Sequence, residues 1–387
     1  MEDVAIISNG TCGLALENSV SWWTRLLEST TIFINVVALT ANATLIWWLV
    51  TVPAFHVHLK VALGNSSAAL CFYFLAKILM NAFNMAHFAR GRYLEGEGCE
   101  DFVMTDQSCC FALCPVSLAG MCVIYSLVGL AAERLWATRR YRHYENEKSV
   151  LVVTAVAAFP WLISFATMTP RIVNLDGASY LGYCSSFTSH LYSSKDGDVG
   201  PFVRLLAANV VIGALLLAVF FFVVWWNDRE RRRKIAARAT TAPAQREDLS
   251  VRYQLAKNIR MTRAASKIMA CFFVCSAVPQ LAFIGAKNGL LSFLSASALF
   301  QLAATEFFYL SFPVFGGLFA VLCIRSSSQL RAKARESWLP KMVANTLFAA
   351  TATMNVGADA KEGEFSRHFG ALDKAWTRQH QNQRENG

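Results

Sequence analysis

Apolar residues in this chain fall into seven long runs, and the charges gather between them. The runs cover 30–52, 59–83, 110–134, 149–170, 202–226, 264–286 and 296–324. A helix rising ~1.5 Å per residue needs about 20 apolar residues to cross a hydrocarbon core of ~30 Å. Each run meets that length, and none shows the period-2 alternation of a half-buried strand. Away from their ends, the second and seventh each contain a charge, Lys77 and Glu306. The pattern predicts an all-α membrane protein, a seven-transmembrane helix bundle over 30–324. An extracellular tail, 1–29, precedes it. Beyond the last run Leu330, Ala334 and Trp338 recur every four residues among Arg331, Lys333 and Arg335. That spacing predicts an amphipathic juxtamembrane helix over 325–339, followed by a loosely ordered cytoplasmic tail, 340–387.

The charges orient the bundle. With the N-terminus outside, the inner segments hold 28 of the 36 Lys and Arg residues and the outer segments hold 7, Lys77 being within a span. Basic residues accumulate on the cytoplasmic side of spans. A fourfold bias selects N-terminus outside and C-terminus inside, which requires an odd number of spans. The first 28 residues hold one Arg against four acids, so no basic leader precedes the first run. That run is expected to serve as an uncleaved signal anchor. Asn9-Gly10-Thr11 is a glycosylation sequon in the outer tail, whereas the sequons at Asn42 and Asn65 fall inside spans and should be silent. Trp47, Trp48, Trp225 and Trp226 lie at the inner ends of the first and fifth runs, the depth indoles prefer.

Composition adds two points. Only 16% of the residues are charged, against ~25% in soluble domains, in keeping with a polytopic protein. The net charge of +10 needs no nucleic acid to explain it, because the basic residues flank spans. No HExxH, GxSxG or Walker pattern occurs, so the chain does not read as an enzyme, and no metal or cofactor is implied. The eleven cysteines lack paired CxxC spacing. Cys184, the sole cysteine in the loop between the fourth and fifth runs, is a candidate for a disulfide to Cys109, Cys110 or Cys114. Cys99 could instead close a small loop onto Cys109 or Cys110.

Three groups of residues could carry function. Glu133-Arg134 closes the third span: a snorkelling anchor with an incidental acid, or a switch in which the acid holds the arginine. The segment 229–267 holds twelve Lys and Arg residues, a topology signal and a docking surface for an acidic partner or anionic lipid. In its second half Leu255, Ile259, Thr262 and Ser266 share one helical face, so the sixth helix should extend past the bilayer. Lys77 and Glu306 both lie in the outer half of their spans. They form a salt bridge between neighbouring helices or contact a ligand, with Asn81 and Asn84 above Lys77.

Seven spans with Glu-Arg closing the third resemble a G-protein-coupled receptor. FHVHLK (55–60), ERLWATRRYRHYE (133–145) and LSVRYQLAKNIR (249–260) resemble stretches of the nematode serpentine chemoreceptors of the Sra superfamily, Srab-like in detail. The resemblance covers about 30–335. It implies a plasma-membrane receptor of a sensory neuron that binds an unknown small-molecule or peptide ligand. Its partner would be a heterotrimeric G protein. The residues implied in the switch and in coupling are Glu133, Arg134, Arg139, Arg140, Tyr144, Glu145, Arg252, Tyr253, Asn258 and Arg260. Departures are Lys257 where an acid is usual, ERL in place of the rhodopsin-like DRY, and no NPxxY around Pro313. The competing class, a membrane channel or transporter, would favour an internal repeat, and none is visible.

An epitope tag at residue 1 is expected to be labelled on intact cells. Labelling only after permeabilisation would reverse the topology.

Overall fold

The computed structural model describes residues 22–52, 55–93, 104–140, 150–173, 180–181, 200–240, 249–287 and 298–336. They form α1 (Trp22–Thr51), α2 (Val57–Tyr93), β1 (Met104–Thr105), α3 (Asp106–Arg139), α4 (Val150–Val173), β2 (Tyr180–Leu181), α5 (Gly200–Thr240), α6 (Leu249–Lys287), α7 (Ala298–Ser326) and α8 (Ser328–Glu336). Among the described residues, six helices are long and apolar enough to cross a membrane. The seventh, α7, is 29 residues long, its side chains described only from Leu310 onward. Helices are the expected solution, because no water in the hydrocarbon core can satisfy an open backbone.

Each predicted span lies within or close to one helix, and the helices mostly outrun the spans. α5 continues to Thr240 and α6 begins at Leu249, well beyond the apolar limits at 226 and 264. Apolarity ends where the bilayer ends, but helix formation does not. Arg, Lys and Ala favour the helix, and their charges are solvated outside the membrane. As expected from the sequence, Ile259 and Thr262 are buried on one face of this extension while Arg260 and Arg263 are exposed.

α3 is the central post, packed against α2, α4, α5 and α6. α1 lies on α2 and α7, α6 joins α5 to α7, and α4 leans on α2 and α3. One addition to the all-helical expectation is a minimal antiparallel ladder. It pairs Met104 with Leu181 and Thr105 with Tyr180, fastening the segment after α4 to the start of α3. The chain divides into a unit ending at Gln329 and another beginning at Leu330. Within α8, Leu330 and Ala334 are buried. The helix ends at Glu336, and Trp338 lies outside the described residues.

The closest packing joins α1, α2 and α7. Asn42, fully buried, donates from Nδ2 to the carbonyls of Ala38 at 2.9 Å and Gly316 at 3.0 Å. A Cβ on Gly316 would press inside van der Waals contact of Phe74 Cζ and lie 3.0 Å from its Cε2. Small residues permit this approach of helices in a membrane, where no hydrophobic force drives them together. The sequon at Asn42 is thereby sealed in the fold. That at Asn65 is engaged with α4, its Oδ1 accepting from Trp161 Nε1 at 2.9 Å. The tryptophan expectation needs one correction. Trp47, Trp225 and Trp226 are exposed on the bundle surface, but Trp48 is buried. It belongs to the stripe at 28, 31, 35, 38, 42 and 45, whose spacing of three and four residues turns one side of α1 inward.

Gly316→Ala is expected to lower the melting temperature of the purified protein, with a cost of about 1–3 kcal/mol for overpacking. Phe74→Leu in the same chain should recover part of that loss. A native melting temperature for Gly316→Ala alone would contradict the packing described.

Candidate functional site

The penultimate turn of α3, shortly before its end at Arg139, carries two opposite charges that are both withdrawn from solvent. Glu133 is 6% exposed and Arg134 2%. The Arg134 guanidinium donates through Nε and Nη2 to the two carboxylate oxygens of Glu133, a forked ion pair between adjacent residues. Burial of a lone guanidinium is prohibitive, and removing one member of such a pair costs about 3–5 kcal/mol. The acid is therefore the partner that makes the buried arginine tolerable, not an incidental neighbour.

The pair is tied to two further helices. Arg134 Nη1 donates to Asn258 Oδ1 on α6 at 3.5 Å. Asn258 Nδ2 in turn donates to the Ala137 carbonyl at 3.5 Å and to Thr138 Oγ1 at 3.4 Å. Asn227 on α5 donates to the same hydroxyl at 3.3 Å. Thr262, one turn beyond Asn258, is fully buried and caps the Asn258 carbonyl at 2.9 Å. Nearer the surface, Arg263 of α6 bridges Asp228 of α5 at 2.7 Å. The ends of α3 and α5 thus meet at the Thr138 hydroxyl, and α6 reaches the same point through Asn258. Its bonds lie at the long limit of hydrogen-bond geometry, so each is worth no more than about 1 kcal/mol.

The residues expected at this end divide clearly. Glu133, Arg134 and Asn258 come together. Arg139, Arg140 and Arg260 are exposed, with the Arg140 guanidinium 4.6 Å from the centre of the Trp136 ring. Arg252 and Tyr253 lie on α6, but their side chains fall outside the described residues, as do Tyr144 and Glu145 altogether. Thr138 and Asn227 went unrecognised in the sequence. A polar residue on the inward face of a helix end was their one signal, and such residues are common at membrane boundaries.

In the opposite half of the bundle, Lys77, Asn81 and Asn84 are fully buried on α2. With Phe74 they occupy one stripe at spacings of three and four residues. Glu306 lies on α7, its side chain outside the described residues. Among the cysteines, Cys109 is disulfide-bonded. Cys114 carries a thiol, which corrects its candidacy for the bridge. It sits more than a turn deeper along α3, further from the β1–β2 ladder than Cys109. The side chain of Cys110, together with Cys184, Cys99 and Asn9, falls outside the described residues.

The structure is a bundle of helices of membrane-spanning length with a buried acid–arginine pair near the end of the third. Residues 9–346 match the family described as serpentine type 7TM GPCR receptor class ab chemoreceptor, Srab. The chain belongs to that family, and is therefore a multi-pass membrane protein of a chemosensory receptor class. Comparison with curated proteins gives no match.

Proposed function

We propose that this protein is a chemosensory receptor of the plasma membrane of a sensory neuron. Its N-terminal tail lies outside and its Arg134 end faces the cytoplasm. It binds its ligand in the outer half of the bundle and promotes nucleotide exchange on a heterotrimeric G protein. The observation that carries the proposal is the contact from the Glu133–Arg134 pair to Asn258. It joins the most buried cation at the basic end to the helix that extends furthest beside it, through bonds weak enough to exchange. A switch needs two arrangements separated by a few kcal/mol. Arg134 held between Glu133 and Asn258 is one arrangement. Arg134 released from Asn258 as α6 moves away is the other, and it opens a cleft among α3, α5 and α6 for the partner. Arg139, Arg140, Arg260 and the basic extensions of α5 and α6 supply the surrounding positive field, which draws an acidic partner. Tyr144, Glu145, Arg252 and Tyr253 complete the coupling surface in this reading, as the family likeness implies.

Several supports are assigned at the ligand end. Cys109 is bonded to Cys184. β2 stops three residues before Cys184 and pairs with β1, which stops four residues before Cys109. Lys77 pairs with Glu306. Tyr73 stacks on Phe312 at 4.7 Å, and from that level Lys77 and Glu306 lie about 6 and 9 Å further out along their helices. Glu306 also shares the heptad position of Pro313 and Ala320, both buried. Asn81 and Asn84 are left to face the ligand, and Asn9 carries a glycan.

Arg134→Ala should reduce ligand-dependent nucleotide exchange at equal surface expression. Asn258→Leu, which keeps the Glu133–Arg134 pair but removes the link to α6, should raise basal exchange about fivefold, the effect of roughly 1 kcal/mol. Unchanged exchange in both variants would remove the switch. For the ion pair, Lys77→Glu and Glu306→Lys should each lose surface expression, and the double exchange should regain it. Additive losses would mean independent roles.

A further inference from the structure

The outer half contains carboxamides that the protein does not satisfy. Asn35, Asn81 and Gln280 are each about 1% exposed or less. Asn35 gives its Nδ2 to the Thr31 carbonyl at 2.7 Å, and Gln280 gives its Nε2 to Ser276 Oγ at 3.1 Å. Among the described residues, Asn35 Oδ1, Gln280 Oε1 and both Oδ1 and Nδ2 of Asn81 have no hydrogen-bond partner. An unsatisfied buried polar atom costs about 1–3 kcal/mol. Three such side chains are a heavy penalty in a fold that could have placed leucine there.

The three occupy one depth. Asn42 binds the Gly316 carbonyl, Gly316 abuts Phe74, and Phe315 packs edge-on against Phe272 at 5.2 Å. These contacts register α1, α2, α6 and α7 at one level. From it Asn35 and Asn81 lie seven residues outward and Gln280 eight, a rise of about 10–12 Å in each case. Phe74, Phe272 and Phe315, with Tyr73 stacked on Phe312 at 4.7 Å, close the bundle beneath them. The arrangement is a layer of carboxamides over an aromatic floor.

Resting on the receptor reading above, we propose that this layer is the ligand subsite and that its ligand is a small, water-soluble molecule rich in hydrogen-bond donors, such as a polyol or amino alcohol. The open positions are three carbonyl oxygens against one amide nitrogen, so the ligand must mainly donate. A purely apolar odorant would leave every one of those atoms unpaired, and sites built to hydrogen-bond a ligand reject analogues that cannot do so.

The test uses the full-length receptor in lipid nanodiscs. Its melting temperature is measured with a panel of small polyols and amino alcohols, each beside its O- and N-permethylated counterpart. Donor-bearing members should raise the melting temperature and their permethylated counterparts should not. Asn81→Leu and Gln280→Leu should abolish the shift, while Leu215→Ala, at an exposed position of α5, keeps it. Without ligand, Asn81→Leu should melt no lower than the native chain, because it removes an unpaired amide. Equal shifts from permethylated members, or no shift from any member, would overturn the assignment. So would a lower melting temperature for unliganded Asn81→Leu, which would make Asn81 a structural residue bonded to internal water. The panel is run in parallel through nucleotide exchange on a G protein. Exchange driven by apolar compounds with the polar panel inert would sink this subsite and leave the receptor reading intact. Absence of exchange under every condition would count against the receptor reading, whatever binds.

Discussion

Arg134 is a permanent cation almost wholly removed from water, and the organisation of the basic end follows from satisfying it. Its neighbour on the chain supplies the charge, in a fork that needs no other helix. That leaves one guanidinium nitrogen to be met from outside α3, and α6 meets it with a neutral side chain. The division matters. A carboxylate on α6 would have locked the two helices with a buried ion pair. A carboxamide holds them with bonds that exchange readily.

The middle of the bundle has the opposite character. Around Gly316 three helices are keyed together, the Phe74 ring seated where a Cβ would be and the Asn42 amide on the Gly316 carbonyl. A methyl group does not fit there, so α1, α2 and α7 have little freedom to slide. At the Arg134 end the links from α3 to α5 and α6 run at 3.3–3.5 Å through amides and a hydroxyl, while the 2.7 Å Arg263–Asp228 bridge couples α5 to α6. The bundle is therefore tight on one side and loose on the other. Long, neutral, shared bonds favour motion of α5 and α6 against a fixed frame.

Much of this was legible in the sequence, for physical reasons that also mark where legibility stops. Seven runs of about 20 apolar residues announce helices because a bilayer has one thickness. Glu133 and Arg134 stood out because charged groups at a span boundary break a local pattern, and Asn258 through the resemblance carried by LSVRYQLAKNIR. Thr138 and Asn227 did not, since their meeting depends on how three helices turn about their axes. The Gly316–Phe74 approach was equally hidden, as a glycine in a membrane helix has many uses. The continuation of α5 to Thr240 was missed because hydropathy reports the bilayer and not the hydrogen-bonded ladder, whereas the extension of α6 was legible in its 255, 259, 262 and 266 face. Trp48 was misplaced for want of a face: position 48 continues the inward stripe of α1 three residues after Leu45, which hydropathy alone does not show.

The length of α6 has a mechanical consequence. From Pro279, where the ladder loses a donor, to Leu249 the helix runs 30 residues, or about 45 Å. Asn258 sits some two-thirds of the way along that arm. A tilt of about 5° at the proline carries Asn258 sideways by about 3 Å, enough to double a hydrogen-bond distance, and the tip by about 4 Å. Gln280 stands at the fulcrum, one residue from Pro279. A displacement too small to disturb the packing there arrives at the far end of the arm as the width of an atom.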